Sequence, residues 1–172
     1  MSEMNTIDRL GETVAISKII DRSIDEFIDD TLKTIGSSAF SHCPQLRYVS
    51  FPAVTSCPSN NTFSHSPQLA SVELPAVTVI GENTFAMCTG LIRVEFPSIS
   101  TIGQRSFMGC SALTTVILGN TSQVVTLNNR NAFDNATNAI IYVPDALVDS
   151  YKSATNWSTY ASRIKGISEL PA

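Results

Sequence analysis

The sequence predicts an α/β solenoid, in which short parallel β-strands stack along one axis and are joined by irregular or short helical turns. The first observation behind this is a recurring string. Ile80 onward reads I-G-E-N-T-F-A-M-C-T-G-L-I-R-V-E-F-P, Ile102 onward I-G-Q-R-S-F-M-G-C-S-A-L-T-T-V-I-L-G, and Ile35 onward I-G-S-S-A-F-S-H-C-P-Q-L-R-Y-V-S-F-P. The second is that a weakened copy, Cys57 to Pro75, holds the same phase. The third is size: one such unit has too few apolar side chains to offset the ordering of its own backbone, so the units must stack to fold.

The columns of the repeat justify its elements. Phe40, Phe63, Phe85, Phe107 and Phe133 are separated by 23, 22, 22 and 26 residues, and Leu46, Leu69, Leu91 and Leu113 follow at a constant offset. Val49, Val72, Val94 and Val116 come next, then Phe51, Leu74, Phe96 and Leu118. This final alternation is strand-like. Pro52, Pro75 and Pro97 close the strand, with Gly119 in the last copy.

A period of 22 with L-x-x-L-x-L spacing lies in the range of leucine-rich repeats. The form I-G-x-x-[AST]-F-x-x-C-x-x-L-x-x-V-x-[FL]-P resembles the BspA-like leucine-rich repeat family, also described from treponemal surface proteins. The resemblance covers about residues 24 to 144. It departs from the family pattern at Ser66, at Cys57-Pro58 in place of Ile-Gly, and in the longer segment Asn120 to Thr126. It implies a leucine-rich-repeat solenoid and a role in cell-surface or host-protein interaction.

Outside the repeat, three regions are expected: an N-terminal cap or attachment segment over 1–22, the solenoid over 23–144, and a C-terminal helical cap over 145–172. Ile7, Leu10 and Val14 fall at i, i+3, i+7 and predict a short amphipathic helix, against which Gly11 counts. Ile24 to Ile35 reads as an incomplete first repeat, with Phe27, Leu32 and Ile35 at the offsets of Val94, Ile99 and Ile102. At the other end Ala139 to Val143 predicts a strand. Asp145 is positioned to cap a helix bearing Leu147, Val148 and Tyr151, and Asn156 a second bearing Trp157, Tyr160, Ala161 and Ile164. This ending resembles that of repeat proteins encoded by gut bacteria and their phages. Trp157 is read as core, with an exposed ligand-stacking residue as the other reading.

Composition bounds the function. The chain has 172 residues, 43% hydrophobic and 15% charged, with a formal net charge of -4, so it carries no overall basic field for nucleic acid or an anionic membrane. No apolar run reaches the length of a membrane span, so no membrane insertion is expected. Met1 to Glu12 lacks a basic stretch followed by an apolar one, and no signal peptide is read there. That reading favours a virion- or prophage-associated protein, or a bacterial protein released by another route, with localisation otherwise open.

Catalytic motifs are lacking: there is no P-loop, G-x-G-x-x-G, G-x-S-x-G or H-E-x-x-H. No cofactor and no metal are expected. Cys43, Cys88 and Cys110 share one repeat position with Ser66, and with Cys57 they read as buried thiols acting as small hydrophobes; disulfide or metal is the alternative. His42 and His65 share a position in adjacent coils and are the best-placed candidate for a metal or pH-sensitive pair, but their column continues with Met87 and Gly109. The Asn-x-Ser/Thr triplets at Asn60, Asn120, Asn135 and Asn156 reflect richness in those residue types.

Function is then expected from the displayed sheet face. With the valine column inward, strand alternation turns two ribbons outward: Tyr48, Ser71, Arg93 and Thr115, and Ser50, Glu73, Glu95 and Ile117. These eight are the candidate ligand-binding residues, with Arg93 set to offset Glu73 and Glu95 and Ile117 exposed. The expected function is a non-enzymatic binding or adhesion module for a protein or glycan. The alternative is a structural assembly subunit that self-associates through the N-terminal segment or a coil end.

Overall fold

A computed structural model describes residues 6–10, 13–18, 24–58, 60–120 and 122–172, with side chains described from Ile24 onward. In chain order the strands are β1 (Thr6–Leu10), β2 (Thr13–Lys18), β3 (Glu26–Ile28), β4 (Thr34–Ile35), β5 (Tyr48–Ser50), β6 (Ser56–Cys57) and β7 (Ser71–Glu73). Then come β8 (Val79–Ile80), β9 (Arg93–Phe96), β10 (Thr101–Ile102), β11 (Thr115–Leu118), β12 (Thr126–Leu127) and β13 (Ile140–Val143), followed by helix α1 (Val148–Ser153) and β14 (Ile164–Gly166). Each coil contributes one two-residue strand from its Ile-Gly start and one longer strand from its L-x-x-V-x-[FL] end.

The two kinds of strand build separate sheets. The short strands form one continuous sheet in the order β1-β2-β4-β6-β8-β10-β12. The longer strands form a three-stranded sheet, β3-β5-β7, and a four-stranded sheet, β14-β13-β11-β9. Every coil-to-coil pairing is parallel and in repeat register, as in Val49 with Val72 and Val94 with Val116. The Ile-Gly start is needed where coils approach closely: a Cβ on Gly103 would lie 2.6 Å from the carbonyl carbon of Gly81.

Between these sheets the phenylalanine column fills the core. Phe40–Phe63, Phe63–Phe85, Phe85–Phe107 and Phe107–Phe133 stack with ring centroids 5.3, 5.2, 5.4 and 5.1 Å apart. The stack is closed edge-on by Phe27 at one end and Tyr160 at the other. A third hydrogen-bond ladder runs beside the rings. Phe40, Phe63 and Phe85 donate their N–H groups to the carbonyls of Thr62, Thr84 and Ser106 in the next coil, each at 2.8 Å. Backbone in the left-handed region is required twice per coil for this ladder, at Ser38, Asn61, Asn83 and Arg105 and at His42, His65, Met87, Gly109 and Asn135.

The cysteine column has a polar role besides packing. Cys88 Sγ and Cys110 Sγ each donate to the carbonyl of the phenylalanine one coil back, Phe63 and Phe85, at 3.1 Å. Ser66 Oγ does the same toward Phe40 at 2.9 Å, so the departure at Ser66 preserves the bond. All four cysteines are buried thiols. Burial pushes the Cys57 and Cys88 thiols up to about 12, and burial likewise raises Cys110.

The ends differ from the helical segments expected. Thr6–Leu10 and Thr13–Lys18 form the antiparallel pair β1–β2, and β2 joins β4 in parallel, so strands replace the predicted N-terminal helix. The cause is composition: Thr6, Ile7, Thr13, Val14 and Ile16 are β-branched, which favours extended backbone over a three-residue helical coincidence. The face read into Ile7, Leu10 and Val14 lies outside the described side chains, as does Gly11. At the C-terminus only α1 is α-helical; Trp157–Arg163 is a 3-10 segment, and Ile164 enters β14, which pairs with β13. Asn156 stands at the N-cap position of the 3-10 segment and Asp145 inside a 3-10 turn, but neither side chain makes a capping hydrogen bond. Asp145 instead accepts from Ser168 N–H and Oγ, and Asn156 Nδ2 donates to the Leu127 carbonyl at 2.7 Å.

These C-terminal side chains complete the last coil. Tyr151 Oη accepts from Val125 N–H at 3.0 Å, and buried Trp157 donates Nε1–H to the Val125 carbonyl at 2.6 Å. Tyr160 Oη accepts from Phe133 N–H at 3.2 Å and donates to the Arg130 carbonyl. Arg163 donates to the Ala136 carbonyl at 2.6 Å. Among the described residues no helix is long and apolar enough to cross a membrane.

Two outcomes test this core. Phe85→Ala, at the centre of the ring stack, is expected to cost about 3–5 kcal/mol of unfolding free energy in urea, whereas Tyr160→Phe, which removes only the terminal hydroxyl, is expected to cost about 1–3 kcal/mol. The raised thiols favour the neutral form in the folded chain. Their contribution is therefore full below an unfolded thiol pKa of about 8.5 and is lost as pH rises toward 12. The urea midpoint is expected to fall between about pH 8 and 10, and Cys88→Ser, which keeps the donor and removes the titration, is expected to soften that fall.

Candidate functional site

The outward residues of the longer strands form two rows fixed by the register. One contains Glu26, Tyr48, Ser71, Arg93 and Thr115, and the other Ile28, Ser50, Glu73, Glu95, Ile117, Tyr142 and Lys165. Ser71, Glu73, Arg93 and Glu95 are exposed, while Tyr48 and Thr115 are half-buried. Two expectations are corrected. Ile117 is only 5% exposed, because it lies in register beside Tyr142, itself 5% exposed, and the row covers it. Ser50 is nearly covered as well, with its Oγ donating to Glu73 Oε2 at 3.0 Å.

The rows are interrupted in the middle. β5 pairs with β7 and β9 with β11, but no ladder joins β7 to β9. At the start of this seam Ile92 N–H reaches the Ala70 carbonyl at 3.4 Å. Past that point no ladder joins the two strands. Ser71 N–H and the Glu73 carbonyl are turned to the preceding coil, and the Ile92 and Phe96 carbonyls to the following one. By the alternation of a parallel strand, the backbone groups of Val72 and Leu74 on one side, and of Arg93 and Glu95 on the other, face the seam.

Shape and charge are concentrated at this break. Val72 is 7% exposed, while Val49, Val94 and Val116 are at 0, 1 and 0%. A depression of about 320 Å³ is lined by Val72, Glu73, Leu74, Pro75, Glu95 and Pro97. It adjoins one of about 350 Å³ lined by Ala70, Ser71, Val72, Glu73, Arg93 and Glu95. The charges divide across the seam, and the ion pair formed by Arg93 is with Glu95. Glu73 is held from its own side by Ser50 Oγ at 3.0 Å, and the interaction with the Glu73 carboxylate raises the Tyr48 phenol above its ordinary value. Arg93 bonds Glu95 on its own strand at 3.0 Å, an exposed pair of small energetic weight.

The structure therefore brings Ser71, Glu73, Arg93 and Glu95 to one groove, and leaves Tyr48 and Ser50 on one side of it and Thr115 and Ile117 on the other. Sequence reasoning missed Leu74, Pro75 and Pro97 as lining residues, because the repeat marks them as core and strand end. Nothing in the string signals the seam, since the spacing across it equals that between Arg93 and Thr115. The other candidate pair, His42 and His65, stacks face to face with centroids 4.6 Å apart at an interplanar angle of 12°. Parallel rings direct their nitrogen lone pairs side by side, a poor geometry for sharing a metal ion. Among the described residues no group of three or more His, Cys, Asp or Glu is placed to hold one.

Comparison with known proteins matches this architecture. The BspA type leucine rich repeat region matches residues 22–145 in six copies. Solved structures with the same fold include a leucine rich repeat protein of T. pallidum, with 23% identity and a TM-score of 0.69, covering 78% of this chain and 65% of that one. A leucine-rich repeat protein from Bacteroides ovatus has 23% identity and a TM-score of 0.67, covering 89% of this chain and 39% of its own. A leucine rich cell surface protein from Faecalibacterium prausnitzii has 24% identity and a TM-score of 0.64, covering 76% and 35%. The chain thus spans under two thirds of the first of these and under two fifths of the other two. No curated protein sequence matches it. With its repeat columns, parallel register and six-copy match in agreement, the chain belongs to the BspA-type leucine-rich repeat family.

Proposed function

We propose that the chain is a non-enzymatic binding module that recognises a protein through the exposed face of the repeat sheet, centred on the seam between β7 and β9. The observation that carries this reading is the seam itself. It is the place on the face where apolar surface, unladdered backbone groups and fixed charged side chains meet in one groove. Backbone donors and acceptors that lack a neighbouring strand are matched by water or by a partner, and a partner there gains hydrogen bonds together with the apolar contact of Val72, Leu74, Pro75 and Pro97. A protein fits better than a glycan, because sugar rings favour open aromatic platforms and Tyr48, the aromatic ring among the candidate residues, is half-buried.

Family membership supports a binding role in general. Adhesion at a bacterial or virion surface is the setting we favour, supported by the description of the F. prausnitzii neighbour as a cell surface protein. The test is a binding screen of cells, proteins and arrayed glycans with the wild-type chain and a Tyr48→Ala, Arg93→Ala, Glu95→Ala triple variant. A captured ligand is expected to bind the variant at least about tenfold more weakly, the scale of a lost interface anchor. Thermal unfolding is expected to change little, since none of the three side chains is core. Unchanged binding by a folded variant would remove the sheet face as the site.

A further inference from the structure

The two ends of the longer-strand sheets are finished differently. At the C-terminal end β14 is added beside β13, and Tyr151, Trp157, Tyr160 and Arg163 bond the backbone of the last coil. At the N-terminal end β3 has a neighbour on one side, β5, and among the described residues none on the other. The Asp25 carbonyl and Asp29 N–H are turned to β5, accepting from Tyr48 N–H and donating to the Ser50 carbonyl. By alternation the N–H and C=O groups of Glu26 and Ile28 face outward at the edge.

Side chains on this edge are of two kinds. Ile28 is 64% exposed, the largest exposure of the large hydrophobic residues described. Around it lie Asp25, Glu26, Asp29 and Asp30, four carboxylates within six residues. Among the described residues Asp29 bonds Thr31 and Leu32, and none of the four is in a salt bridge. Charge alone is a common guard for a strand edge, but a guard gives no reason to leave an isoleucine in solvent beside it. The same charges act against a second copy as occupant: antiparallel pairing centred on Phe27 would set Asp25 of each chain opposite Asp29 of the other.

We infer that the free edge of β3 accepts an extended, basic segment of a partner protein, which adds a strand to the β3-β5-β7 sheet. Main-chain bonds to Glu26 and Ile28 supply the pairing, and the face alternation sets the sequence. A basic side chain lies beside Glu26, an apolar one extends the core beside Phe27, and a second apolar one covers Ile28. This occupant is independent of the groove at the seam.

The test uses the full chain and a synthetic peptide of the form Lys-Lys-Val-Val-Lys, capped at both ends, followed through backbone amide NMR shifts. The expected result is saturable shifts at Glu26 and Ile28, with affinity falling several-fold as salt is raised, as screening of about 10 Å at 0.1 M requires. A Glu-Glu-Val-Val-Glu control is expected to bind at least tenfold more weakly. Ile28→Pro removes an outward N–H while leaving the inward-facing groups of Phe27 and Asp29 in place, so it is expected to keep the fold and weaken peptide binding at least tenfold. Asp25→Asn with Asp30→Asn serves as a second variant with the backbone intact, expected to weaken binding and reduce its salt dependence. Equal binding of the two peptides, equal binding by folded Ile28→Pro, or a dimer that blocks these amides in the chain alone would each overturn the assignment.

Discussion

The phenylalanine stack is the constraint on which the rest of the structure depends. Rings 5.1–5.4 Å apart hold successive coils close to the spacing of neighbouring strands, and each offset ring pair adds to the burial of its own area. At Phe40, Phe63 and Phe85 the left-handed residues on either side, the ladder through the N–H and the donor from Ser66, Cys88 or Cys110 all serve to hold the ring in place. Phe63 and Phe85 stack at an interplanar angle of 2° on the two sides of the seam. The core is therefore continuous where the outer sheet is split, and the seam is a feature of the face and not a boundary between two folding units.

Such a stack has to be ended as well as propagated, and its two ends use different chemistry. At the C-terminus hydroxyl, indole, amide and guanidinium groups stand in for the backbone of a missing coil. Each is carried on a side chain that also packs: Trp157 is buried against Phe133 and Tyr151, and Tyr160 closes the ring stack edge-on. At the N-terminus an antiparallel pair continues the sheet of short strands and Phe27 closes the ring stack, while among the described residues no strand pairs with the outer edge of β3.

Repetition made the interior legible in the sequence. A column of five phenylalanines or four valines averages out the noise of any one position, so the inward residues, the strands that carry them and the parallel register could be read directly. Ser66 looked like a defect in the pattern because the column had been read as hydrophobic; its Oγ makes the same bond to the preceding coil as the thiols do, a role that only the geometry of the Phe40 carbonyl reveals. Where the chain stops repeating, that averaging is lost. Three apolar residues at helical spacing over 7–14 were outweighed by β-branched neighbours and by the offer of a free edge at β4. Ile117 was misread for a related reason: strand alternation gives the side of the sheet a residue is on, but whether it meets solvent depends on Tyr142, which belongs to the next strand.

The seam was illegible because it lies in the backbone, where identical spacing gives two outcomes, a paired ladder between β9 and β11 and an open one between β7 and β9. Its consequence for binding comes from how the charges are held. Glu73 is anchored by Ser50 to the three-stranded side, and Glu95 by Arg93 to the four-stranded side, so neither carboxylate is tied to a group across the break. A partner entering the groove meets acceptors whose rotamers are already restrained, which lowers the ordering cost of association. It also displaces no protein–protein ladder to reach the backbone groups of Val72 and Glu95. If the seam is the binding site, as proposed, specificity in this scaffold follows from a local failure of the repeat, set between side chains that the repeat itself leaves free to vary.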